Sequence, residues 1–348
     1  MMKNTHMKSY FLFLFLFVSS TCLVGQEIKD RPRDGEGVYA FLQRHNRLNQ
    51  KYYRAFIKLN KNKLGKDNEL KKHHTYIIPD LSEKNTNADE TAVKNESSRE
   101  DKSWREPLFG KKEERVKLLN NQLEGACFYI VSGHGGPDPG AIGKMGKYQL
   151  HEDEYAYDIA LRLAKNLMQQ GAKVHIIIQD AKDGIREDRY LANSKRETCM
   201  GKKIPLNQLE RLKQRSDKIN ELYSKDRKKY SYCRSVFIHL DSRSQHKQMD
   251  VFFYYAPKST NGLRLANEMK RTFASKYDTH QPNRGFTGTV SSRGLYVLTN
   301  TQPVGLFVEL GNIQNQFDQR RFILSSNRQA LANWLALGLL NDFRKGKE

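Results

Sequence analysis

Residues 126–131 constrain this chain more than any other stretch. Six apolar side chains, aromatic and β-branched ones among them, run unbroken between Gly125 and Ser132. A run with no polar alternation is buried on both faces, so it reads as a central strand of a covered sheet. Beyond it, helix and strand patterns alternate. Over Glu152–Gln169, Tyr155, Ile159, Leu163 and Leu167 recur every fourth residue, with Ala156, Ala160 and Ala164 beside them. That is the stripe of a core-facing helix, stopped by Gly171. Further strands are expected at 174–178, 235–240, 251–255, 295–298 and 304–310. Helices are expected at 263–273 and 329–343, and a charged helical stretch holds Leu206, Leu209, Leu212, Ile219 and Leu222. The order predicts an α/β domain: a twisted, mostly parallel sheet flanked by helices.

The N-terminus has a different pattern. Lys3 and Lys8 precede an apolar run over 10–18, followed by Ser19, Ser20 and Thr21. This is the charged start, apolar middle and small-residue exit of a secretory signal, assigned to 1–25 with cleavage near Gly25 and Gln26. The run is shorter than the ~20 residues of a permanent span, so no stable membrane span is expected. Cys22 offers a lipoprotein alternative, but the residues before it lack the pattern of a lipidation site. The expected location is secreted, in the periplasm or cell envelope.

Charge narrows the partners. Sixty Lys and Arg against 39 Asp and Glu leave a formal charge of +21, which calls for an anionic partner: nucleic acid, membrane or an acidic wall polymer. A nucleic-acid role is excluded, because no helix-turn-helix, finger or aromatic RNA-binding motif is present and secretion puts the chain elsewhere. Four cysteines are too few for a disulfide scaffold. Cys199 and Cys233 are a candidate pair in an oxidising compartment, and Cys127 reads as a small buried apolar residue.

Residues 31–80 form a small α+β unit. Val38, Phe41 and Leu42 share one helical face, Phe56, Leu59, Leu64 and Leu70 continue the apolar spacing, and Tyr76-Ile77-Ile78 is a short strand ending at Pro79. Two short helices between extended ends fit this, although no clear first strand is visible. The pattern of Gly35-Glu36-Gly37, Leu59-Asn60, Asn68-Glu69-Leu70 and Tyr76-Ile77-Ile78-Pro79 resembles a LysM module. That resemblance implies binding of N-acetylglucosamine-containing glycans; the alternative is a helical spacer without a ligand. His73-His74 replace the usual glycine before the last strand. Residues 82–103 are polar and read as a linker, and 104–348 make up the remaining domain.

The central strand runs into Gly133-His134-Gly135-Gly136-Pro137-Asp138-Pro139-Gly140-Ala141. A histidine at the carboxyl end of a central strand sits where α/β proteins place ligands. A phosphate cradle is the competing reading, but two prolines interrupt the loop and no G-x-G-x-x-G opens the helix. Glu152 begins the helix, His239 lies near the end of the third strand, and Glu309 lies near the end of the strand over 304–310. Imidazole and carboxylate suit zinc, and three such ligands leave a fourth position open. A separate carboxylate must then move the proton. Each residue also has an ordinary reading. Glu152 complements the helix dipole, Asp153 or Glu154 are alternative ligands, and His239 is a buried histidine. His151, His175, His246 and His280 read as ordinary polar residues.

Taken together, residues from about 126 to 343 resemble a zinc-dependent N-acetylmuramoyl-L-alanine amidase of the Amidase_3 type. The loop 133–141, Glu152 with Ile159-Ala160, Ile238-His239-Leu240-Asp241 and residues 308–315 carry the resemblance. It implies that His134, Glu152 and His239 hold Zn²⁺ and that Glu309 is the catalytic acid–base. Asp241 is a candidate to orient His239 or the metal's water. The implied substrate is peptidoglycan, glycan strands and stem peptides together, cut at the amide between N-acetylmuramic acid and L-alanine. Wall remodelling or cell separation is the expected setting, with any protein activator unidentified. The alternative function is a catalytically inactive peptidoglycan-binding protein with an amidase-like domain. Gln179-Asp180 depart from the family's Thr-Arg, and the basic segment 183–234 is longer than the family pattern. No long helical insertion comes directly after Glu152, so an open site is expected.

Overall fold

The computed structural model describes residues 27–80 and 102–346, apart from 34–35, 46, 48–49, 66–67, 242–247 and 282–283. The signal segment 1–25 with Cys22, most of the linker 82–103, His246 and the Asp241 side chain lie outside the described residues.

In chain order the first unit holds β1 (Lys29–Asp30), α1 (Val38–Arg44), α2 (Gln50–Asn60) and β2 (Tyr76–Ile77). The larger unit opens with β3 (Ser103–Arg105), β4 (Arg115–Lys117), β5 (Ala126–Ser132), β6 (Ile142–Met145), β7 (Tyr148–His151), α3 (Glu152–Gln169), β8 (Lys173–Ile176) and β9 (Ile178–Gln179). It continues with β10 (Thr198–Cys199), β11 (Lys202–Lys203), α4 (Gln208–Asp226), β12 (Tyr232–Asp241), β13 (Phe252–Tyr255) and α5 (Thr260–His280). It closes with β14 (Thr289–Ser292), α6 (Tyr296–Thr299), β15 (Val304–Asn312), α7 (Gln316–Ile323) and α8 (Ser325–Lys345).

Six strands form the main sheet in the order β14-β13-β15-β12-β5-β8. All neighbours are parallel except β13 and β15, so the fold is the expected α/β class with a mostly parallel sheet. β5 is flanked on both sides, and its side chains divide between two cores as the pleat requires. Phe128 and Ile130 pack with residues of α3, α5 and α8. Cys127, Tyr129 and Val131 pack with Ile219 of α4 and with Val297 and Leu298 of α6. A buried Asp158 carboxylate ties α3 to α8, accepting from Arg162 Nε at 2.8 Å and Arg328 Nε at 2.6 Å.

Several expectations change. Residues 295–298 are not a strand: Leu295 starts a single helical turn whose Leu298 N–H donates to the Leu295 carbonyl at 2.9 Å. Four apolar residues serve either conformation, and packing against the second core selects the helix. The place at that sheet edge goes to β14, whose Thr-Val-Ser-Ser sequence carries little apolar signal. The strand expected over 174–178 divides into β8 and β9, the latter pairing with β10 outside the main sheet. Leu206 and Leu209 are exposed, so only the inner residues of α4 anchor it. Ser103, placed at the linker's end, already pairs with Lys117. Cys199 and Cys233 are free thiols, because the register sets Cys233 opposite Cys127 instead.

The first unit has the order β-α-α-β. Its missing strand is β1, just before residue 31, antiparallel to β2. Phe41, Phe56 and Tyr76 form its core, with Phe41 and Phe56 ring centres 5.6 Å apart, while Leu59 is exposed. The Asn60 side chain acts as a clamp: it donates to the Ile77 carbonyl and accepts from the Ile77 N–H, both at 2.8 Å. Glu69 joins this unit to α5 through Lys276 and Thr279.

Candidate active site

The loop after β5, the start of α3 and the ends of β12 and β15 meet at one edge of the sheet. Each candidate side chain is placed by its element's end. Glu152 is the first residue of α3, where the helix dipole favours a carboxylate. It is buried, and its two oxygens accept from the Leu240 N–H at 2.9 Å and the Ala141 N–H at 2.8 Å. These bonds aim the carboxylate at two imidazoles. Glu152 Oε1 lies 3.3 Å from His134 Nε2 and 3.1 Å from His239 Nδ1. Donor atoms of His134, Glu152 and His239 all lie within 4.8 Å of one another.

Two glycines make room for this group. A Cβ on Gly133 would fall 1.9 Å from the His239 ring, so only hydrogen fits there. Gly140 has φ +66°, and a Cβ there would approach both Glu152 Oε2 and His134 Cδ2 at 2.7 Å. Phe307 of β15 stacks on the His239 ring at 4.2 Å and 15°, fixing its plane.

Asp138 gives His134 its tautomer. Its Oδ2 lies 2.9 Å from His134 Nδ1. An ionised carboxylate can only accept, so Nδ1 carries a hydrogen, which leaves Nε2, on the Glu152 side, as the nitrogen a metal can take. Arg211 of α4 donates to the same oxygen at 2.8 Å. Arg215 donates to the Gly133 carbonyl, and Glu197 accepts from the Gly136 N–H at 2.7 Å. The basic segment 183–234 therefore builds the back of the site.

Charge within the group is asymmetric. Burial works against the imidazolium of His134, but Glu152 and the bonded Asp138 outweigh it and push the ring up to about 10. Burial and the neighbouring His134 push His239 down to about 4, so that ring is neutral near pH 7. Burial likewise opposes ionisation of Glu152, yet the two histidines hold its carboxyl well below the usual range. The pocket demands one cationic charge beside Glu152. A set of two imidazoles and one carboxylate, with His134 Nε2 and His239 Nδ1 both turned to Glu152, fits a divalent zinc ion that takes the place of the hydrogens shared there.

Glu309 is buried on β15, in register with His239 on the adjacent parallel strand. It shares the strand face of Phe307, two residues away, so it stands beside the three-residue group without belonging to it. Asp153 and Glu154, the alternative ligands, turn elsewhere. Glu154 pairs with Arg186 at 2.8 Å and accepts from the Ser194 N–H. Asp153 and Glu154 join Glu197 in a separate buried acidic group. Reading the sequence passed over Asp138, Arg211, Arg215 and Glu197. Asp138, four residues after His134 in a glycine-rich loop, was within reach of such a reading, whereas the three from the long basic segment carried no local signal.

The chain is 25% identical over 229 residues to the germination-specific N-acetylmuramoyl-L-alanine amidase of Bacillus subtilis, covering 64% of this chain and 81% of that one. A solved N-acetylmuramoyl-L-alanine amidase from Clostridium difficile 630 is 20% identical, with a TM-score of 0.46, over 64% of this chain and 98% of that one. The amidase Ami1 of Mycobacterium smegmatis is 15% identical with a TM-score of 0.47, over 64% and 99%. Residues 128–341, from the central strand to the last helix, match the Amidase_3 family, and the chain belongs to this family of N-acetylmuramoyl-L-alanine amidases.

Proposed function

We propose that the protein is a secreted peptidoglycan hydrolase that cleaves the amide between N-acetylmuramic acid and L-alanine, using one zinc ion. The convergence of His134, Glu152 and His239, with Glu309 one strand away in register, carries this reading. Zinc would be held by His134 Nε2, His239 Nδ1 and a Glu152 oxygen. Bound there, it supplies Lewis acidity for the attacking water and for the amide carbonyl.

The chain's own residues do the rest. Asp138, backed by Arg211, keeps the proton on His134 Nδ1 and so keeps Nε2 directed inward. Gly133 and Phe307 hold His239 in one orientation. Glu309 accepts the proton of the attacking water and returns it to the departing L-alanine nitrogen, so the leaving group departs as an amine and Glu309 is regenerated.

The β-α-α-β order of residues 29–77 supports a LysM-like glycan-binding role for the first unit, which would raise local substrate concentration by tethering. The signal-like segment 1–25 supports export to the cell envelope.

Mass spectrometry of peptidoglycan fragments after incubation with the zinc-loaded protein tests the reading. Release of stem peptides with a free L-alanine amine is expected. Intact amides, with the protein still sedimenting on sacculi, would assign the chain to the inactive binding class instead.

A further inference from the structure

A second mixed cluster lies at the opposite end of the same strands. Cys127 is the second residue of β5, Cys233 is its register partner on β12, and His175 is the register partner of Tyr129 on β8. Asp226 is the last residue of α4. Its Oδ2 is the meeting point: His175 Nε2 lies 2.8 Å away, Tyr129 Oη donates at 2.9 Å and Cys127 Sγ at 3.6 Å. The donor atoms of Cys127, His175 and Asp226 all lie within 4.8 Å of one another. Cys233 stands opposite Cys127 as its register partner, outside that three-atom group.

We infer that Cys127, His175 and Asp226, with Cys233 as the adjoining thiol, form a second metal site, which takes a thiophilic divalent ion such as Zn²⁺. Two different strands and one helix end deliver a thiolate, an imidazole and a carboxylate to one point. That is a sulfur-containing donor set, unlike the sulfur-free two-histidine set at the other end of the sheet. Tetrahedral zinc with ordinary bond lengths separates its ligand atoms by about 3.4–3.7 Å. The Cys127–Asp226 spacing of 3.6 Å is already in that range, and the His175–Asp226 spacing of 2.8 Å needs only a small opening.

The surroundings fit a ligand set too. Tyr129 stacks on His175 at 5.4 Å and 7°, fixing the ring plane, while its hydroxyl anchors the Asp226 carboxylate from outside. Cys127 is fully buried, Cys233 nearly so, and His175 and Asp226 are partly exposed, which leaves an entry for the ion. Binding would expel the thiol protons to solvent and cross-link β5, β8 and α4. A site of this kind holds the sheet together and has no part in amide cleavage.

Cobalt substitution of the full chain tests the inference. Only a thiol-containing site produces thiolate-to-cobalt charge-transfer absorption, and the His134, Glu152, His239 group has no sulfur. Wild type should bind two equivalents of Co²⁺ and show that absorption. A His134→Ala/His239→Ala double variant should keep the absorption and one equivalent; the equivalent it loses belongs to the amidase site alone. Cys127→Ser should lose the absorption and one equivalent, and His175→Ala should weaken both at least tenfold, which covers the case of a Cys127 variant that does not fold. Wild type with no thiolate–cobalt absorption, or absorption unaltered by both Cys127→Ser and His175→Ala, overturns the second site whatever the amidase assay shows.

Discussion

His134 Nδ1 and Asp138 Oδ2 stand 2.9 Å apart, and this contact decides which nitrogen of His134 is available to a metal. Asp138→Asn keeps the shape but removes the charge that favours the Nδ1–H tautomer. Loss of such an outer partner typically costs 10–100-fold in metal affinity. Zinc titration against a competing chelator should show a drop of that order. Unchanged affinity would reduce Asp138 to a loop residue.

Glu309 and Glu152 should separate chemistry from metal holding. Glu309→Gln cannot accept a proton, so kcat should fall by about 10²–10⁴ while zinc content stays at the wild-type level. Glu152→Gln should instead lose stoichiometric zinc. Metal analysis and muropeptide cleavage on both variants decide between the roles, and wild-type cleavage by Glu309→Gln would end the acid–base assignment.

Gly133→Ala places a methyl group where the His239 ring sits. The ring must move, so zinc binding should be lost together with activity, as in His239→Ala. A variant with full zinc content and wild-type turnover would mean that the ring has a second productive position.

Removal of residues 27–80 should weaken sedimentation with intact sacculi and leave cleavage of a small soluble muropeptide near the wild-type rate, because a tethered binder acts on local concentration alone. Undiminished sedimentation would refute the glycan-binding role of the first unit.

Asp158, fully buried between Arg162 and Arg328, ties α3 to α8. Burial opposes its ionisation, but the two guanidiniums outweigh it and hold the carboxyl below its ordinary value. Its stabilising effect is therefore complete above the unfolded pKa of about 3.9 and fades as pH falls through the lower folded value. Asp158→Asn leaves buried cations uncompensated, at a cost of about 3–5 kcal/mol near neutrality. Urea unfolding across the acid range should show a flatter pH dependence for the variant; equal stability at neutral pH would contradict the ion-pair role.

The apolar run that became β5, the four-residue spacing of α3 and the motifs around His134, Glu152, His239 and Glu309 were legible in the sequence, because burial and turn chemistry leave local marks. The sequence also carried the α/β class, since alternating strands and helices admit few arrangements. Other features depended on tertiary structure. Whether 295–298 coil or extend is decided by the core they pack into, and β14 joins the sheet through backbone hydrogen bonds that its polar side chains do not announce. Arg211 meets Asp138 across 73 residues, and Cys233 meets Cys127 through strand register, so neither pairing has a local signature. Local chemistry selects which residues are capable of catalysis. Which of them meet is settled by the pairing order of β5, β12 and β15, a non-local choice made by burial of the whole sheet.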